Sequence, residues 1–96
     1  MPSIRYRPPV ASDVEEIVAW YESRKEGLGL EFDELDHVLN RAANRPLQFP
    51  VVYKSVRRAL LRRFPYSVYF LIGRDGIEAV AILHQRRHPN EWRSRI

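Results

Sequence analysis

The chain has 96 residues, no cysteine, seven prolines and a formal net charge of +4. That length suits a single domain, residues 1–96, around one small core, and the missing thiols exclude a disulfide framework, a thiolate zinc site and a cysteine nucleophile. No stretch approaches the roughly 20 apolar residues that span a bilayer, and residues 1–7 lack the apolar segment of a secretory signal, so a cytoplasmic protein without membrane contact is expected.

Charge is unevenly divided. Residues 1–48 carry six basic and nine acidic side chains, a net of −3, whereas residues 49–96 carry ten basic and three acidic ones, a net of +7. Nine of those ten cations are arginine, the side chain whose planar fork suits carboxylate and phosphate. An anionic partner for the C-terminal half is the first functional expectation; a solvated basic face that aids solubility is the plainer alternative.

In chain order, Ile4 and Tyr6 alternate with Ser3, Arg5 and Arg7, the period of a short half-buried strand, and Pro8-Pro9 is expected to end it. Ser12 followed by Glu15 reads as a capping box, with Asp13, Glu15 and Glu16 in the first turn of a helix. Its apolar stripe is Val14, Ile17, Val18 and Tyr21; it should run to about Lys25 and break at Gly27 and Gly29. Phe32, Leu35, Val38, Leu39 and Ala42 keep a helical period through a second helix, closed by Asn44-Arg45-Pro46. Two helices so close in sequence make an antiparallel hairpin. Its carboxylates read as a solvated outer face, which argues against a DNA-binding helix-turn-helix. Trp20 and Tyr21 read as core or hairpin packing.

After the loop at Gln48-Phe49-Pro50 the pattern changes to strand from about Val51, with candidate strands at 56–64, 66–73 and 77–84. Phe64-Pro65 separates the first two, and Asp75-Gly76 is a hairpin turn signal between the second and third. The last of these is apolar on both faces, as a central covered strand would be. The expected fold is α+β, in the order β-α-α-β-β-β, with the helical hairpin packed on a small, mainly antiparallel sheet. On the first of these strands Arg58, Arg62 and Phe64 fall on one face, which burial costs place in the open.

The arginine-rich run 56–63, Phe64-Pro65-Tyr66, and the ending His84-x-x-Arg87-x-Pro89-x-x-Trp92 resemble the RelE/ParE toxin superfamily, most closely its ParE-like branch, whose members are often labelled plasmid stabilisation proteins. His88 stands where that branch usually has an acidic residue. The resemblance implies the toxin of a type II toxin–antitoxin module, blocked by an antitoxin that wraps it, with a homodimer or a toxin–antitoxin heterotetramer as the assembly. It also implies one of two targets: DNA gyrase for ParE-like members, ribosome-bound mRNA for the RelE-like endonucleases. Contacts to antitoxin or target are expected at Arg58, Arg62, Phe64, Arg86, Arg87, Trp92 and Arg93.

The nuclease alternative makes a chemical demand. Cutting RNA through its 2′-hydroxyl needs a base, an acid and cations on the phosphate. Arg63, Arg86 and Arg87 can hold phosphate charge, but a guanidinium does not release its proton. That leaves His84 for proton transfer, imidazole being the side chain that titrates near neutrality, with Arg63 and Arg87 beside it. RelE-like nucleases tend to carry a tyrosine after the last strand; this chain has none beyond Tyr69. A gyrase poison acting by binding is therefore expected, ahead of the mRNA endonuclease. A basic nucleic-acid-binding module and a decayed toxin that only binds its antitoxin are the remaining alternatives. His37, His84 and His88 lack metal-ligand spacing, and there is no glycine-rich phosphate loop, so neither metal nor cofactor is expected.

Overall fold

A computed structural model describes residues 2–86 of the chain. Strand β1 (Ser3–Tyr6) leads into helix α1 (Pro8–Arg24), a 3-10 turn (Gly29–Asp33) and helix α2 (Glu34–Asn44). A further 3-10 turn (Pro46–Gln48) precedes strands β2 (Val51–Tyr53), β3 (Val56–Leu60), β4 (Tyr66–Ile72) and β5 (Gly76–His84). The five strands form one sheet in the order β1-β5-β4-β3-β2, antiparallel except for the β1–β5 pair. The α+β expectation holds, with one strand more than the sequence indicated.

Three boundaries differ from expectation. Helix α1 begins at Pro8, not after Ser12, because the prolines occupy its first positions. There the missing N–H is an orphan anyway and the fixed φ is already helical; the Arg7 carbonyl accepts from Val10 (2.9 Å) and Ala11 (3.2 Å). Asp13, Glu15 and Glu16 therefore lie beyond the first turn, and Ser12 caps nothing. Residues 51–53 form a separate edge strand, joined to β3 through Lys54 at φ 50°. Strand β3 stops at Leu60, four residues early. Its continuation is drawn off the ladder: Leu61 N–H bonds Tyr66 O (2.9 Å), while the amides of Arg62 and Arg63 point to Glu34.

The helix-facing core joins Phe32, Leu35, Val38, Leu39 and Ala42 from the helical hairpin to Ala59, Val68, Phe70, Ile77, Ala79 and Ile82 of the sheet. A second buried cluster, Val56, Tyr69, Val80, Ala81 and Leu83, lies on the opposite face. Strand β5 serves both by alternation, interrupted by one bulge: Phe70 pairs with Ala79 but Tyr69 with Ala81, leaving Val80 without a cross-strand partner and setting it beside Ala81 in the second cluster. Among the described residues, no helix is long and apolar enough to cross a membrane.

Candidate functional site at the arginine turn

The β3–β4 connection, residues 61–65, carries Leu-Arg-Arg-Phe-Pro at one end of the sheet. Two adjacent backbone amides meet a single carboxylate: Arg62 N–H donates to Glu34 Oε2 (2.7 Å) and Arg63 N–H to Glu34 Oε1 (2.9 Å). From the end of β5, the Gln85 amide donates to the Leu61 carbonyl (3.2 Å) and the Tyr66 carbonyl (3.0 Å), and Gln85 N–H to Pro65 O (2.8 Å). Tyr66 N–H bonds Phe64 O at 2.8 Å. Below the turn the Phe64 ring is 6% exposed, edge-on to Tyr21 (4.8 Å) and Phe32 (5.0 Å).

This arrangement corrects two expectations. Phe64 is a core residue that fastens the turn rather than an open contact on the strand. The hairpin's carboxylates are not all merely solvated: Glu34 holds the turn, Glu31 Oε1 accepts from Arg63 Nη2 (2.8 Å), and Glu22 accepts from the amides of Gly27 (2.9 Å) and Gly29 (3.0 Å). Neither Glu34 nor Gln85 had a detectable signal, since each reaches the turn across 19 or more residues of sequence.

Of the residues expected to make contacts, the fold brings Arg62 and Arg86 to this end, together with the nuclease candidates Arg63 and His84, the latter pairing across strands with Tyr66. Arg58 lies apart, in mid-sheet opposite Tyr69, half-buried on the face away from the helices, with its Nε unbonded. Its neighbour Arg57 points the other way and donates to the Phe49 carbonyl (2.7 Å). Arg87, Trp92 and Arg93, and the departure at His88, lie outside the described residues. Trp20, expected inside, is 52% exposed with the Arg24 guanidinium 4.6 Å from its ring centroid. It lines an open cleft of about 640 Å³, shared by Ile17 and Asp13 of α1 with Tyr66, Ile82 and Arg86.

The charges are only partly neutralised. Among the described residues the carboxylate pairs are Arg7–Glu78 (3.2 Å), Arg63–Glu31 and the exposed His37–Asp33. Arg62 and Arg86 are exposed at the turn and have no carboxylate partner among the described residues. His84 is engaged locally: its Nδ1 accepts the Arg86 N–H at 3.1 Å, which puts the ring proton on Nε2, and its ring meets the Tyr66 edge at 5.3 Å. Among the described residues no three histidine or acidic side chains gather as metal ligands.

No curated protein matches the chain. The family model described as ParE toxin of type II toxin–antitoxin system, parDE, matches residues 4–89, from β1 through the arginine turn and past the end of β5. A match over nearly the whole chain, with a helical hairpin on a mainly antiparallel sheet, places this protein in the ParE toxin family of type II toxin–antitoxin systems.

Proposed function

We propose that the protein arrests growth by binding DNA gyrase, without cleaving RNA, and that a cognate antitoxin silences it by covering the cationic end of the sheet. The observation that carries this reading is how the charged groups at the turn are committed. Arg63 is held by Glu31, and the His84 Nδ1 lone pair is taken by a backbone amide, so two of the groups a nuclease would use are already engaged within the fold. Arg62 and Arg86 are left facing solvent. Guanidinium groups recognise anions and do not shuttle protons, so they suit binding to a surface better than acid–base chemistry.

The test pairs two assays on one preparation. Purified protein is expected to inhibit gyrase-catalysed supercoiling while leaving ribosome-bound mRNA intact. The opposite pair of results selects the RelE-like endonuclease. Inactivity in both assays with antitoxin binding preserved identifies a decayed toxin, and salt-dependent binding to bare nucleic acid with neither activity identifies a basic binding module.

A further inference from the structure

Most surface loops are loosely held, yet the arginine turn is secured from three directions. Glu34 takes its two central amides, Gln85 takes the carbonyls at its ends, and the Phe64 ring anchors it from beneath. That much restraint on a five-residue turn, three of whose residues are exposed, fixes the backbone from which Arg62 projects. We propose that Arg62 is the turn's contact for a carboxylate of the antitoxin, and that Glu34 and Gln85 are positioning residues that preorganise it. The inference rests on the antitoxin reading above and adds to it the contact and the device that aims it.

The neighbouring side chain shows the chemistry in place. Arg63, one position on, already takes a carboxylate, that of Glu31, at 2.8 Å, so the turn presents its guanidinium groups in a geometry that carboxylates accept. Arg62, which is exposed, has no such partner among the described residues. Holding the turn beforehand removes an ordering cost that binding would otherwise meet. Loss of Glu34 therefore weakens binding through Arg62, whereas its effect on folding does not depend on Arg62.

The experiment uses the full chain and, as probe, the small protein encoded by the adjoining reading frame, with affinity and thermal midpoint measured for each variant. Arg62→Ala is expected to weaken binding by about ten- to a hundredfold, the range for a charge-assisted hydrogen bond, with the midpoint unchanged. Glu34→Ala is expected to weaken binding by about three- to tenfold and to lower the midpoint. In the Arg62→Ala background, Glu34→Ala is expected to lower the midpoint as before but to weaken binding no further. Gln85→Ala repeats the cycle should Glu34→Ala fail to fold. Additive affinity losses, or an Arg62→Ala variant that binds like wild type, overturn the inference while leaving the antitoxin reading intact. No complex with the wild-type chain overturns both. Duplex DNA binding that disappears with Arg62→Ala assigns the residue to phosphate and overturns the carboxylate contact.

Discussion

Replacing Phe64 separates an anchor from a contact. The ring is 6% exposed and meets Tyr21 at 4.8 Å and Phe32 at 5.0 Å, both edge-on. Truncating a buried phenylalanine to alanine costs about 3–5 kcal/mol, with cavity and lost packing combined; each edge-on aromatic pair accounts for about 0.5–1.5 kcal/mol of such a loss. A domain of this size loses roughly 4–8 °C of midpoint per kcal/mol, so Phe64→Ala is expected to fall by at least about 12 °C. Small domains have only about 5–15 kcal/mol in total, so Phe64→Leu supplies a graded reading: it keeps most of the volume, gives up the ring geometry, and should cost about 1–3 kcal/mol. Equilibrium urea unfolding followed by circular dichroism measures both, with the slope checked for constancy. Surface substitutions usually stay within about 0.5 kcal/mol. A Phe64→Ala variant as stable as wild type, impaired only in partner binding, would put the ring back on the surface and refute the anchored turn.

Other perturbations probe separate joints of the fold. Glu22→Ala frees the amides of Gly27 and of buried Gly29, and should cost about 1–3 kcal/mol, read by urea unfolding, with faster hydrogen exchange at those two amides. Gly76→Ala drives a Cβ into the Ser3 backbone at the parallel β1–β5 contact, and should cost about 1–3 kcal/mol and deprotect β1 in hydrogen exchange. The Tyr6 hydroxyl is held above its ordinary range near 10, first by burial and then by the charge and hydrogen bond of Asp36. Its contribution is complete below pH 10 and is lost as pH rises through the raised value. Wild type should accordingly lose stability relative to Tyr6→Phe between pH 9 and pH 12, and parallel urea midpoints across that range would contradict the assignment.

Much of the fold was legible because two periods are strong. The stripe Phe32 to Ala42 is the stripe that α2 and its leading turn bury, and the double-faced apolar run of β5 is buried on both sides, with a bulge no periodicity reveals. Pro8-Pro9 misled because fixed φ and a missing N–H end a strand and open a helix equally well. The early end of β3 was hidden for a different reason. Alternation continues past Leu60, and what stops the strand is a carboxylate 28 residues earlier in the chain. At the site, composition announced unpaired guanidinium groups, and Arg62 and Arg86 fit that description. It did not show that Arg63 is internally matched or that Arg58 lies apart on the far face. Those facts belong to long-range packing, where a glutamate on a helix face reads alike whether it meets water or a turn.

The most direct measurement is growth on controlled expression of this chain, alone and together with the protein encoded beside it. The account predicts arrest by the chain alone and recovery when its neighbour is produced as well. Uninterrupted growth while folded protein accumulates to high level would contradict it.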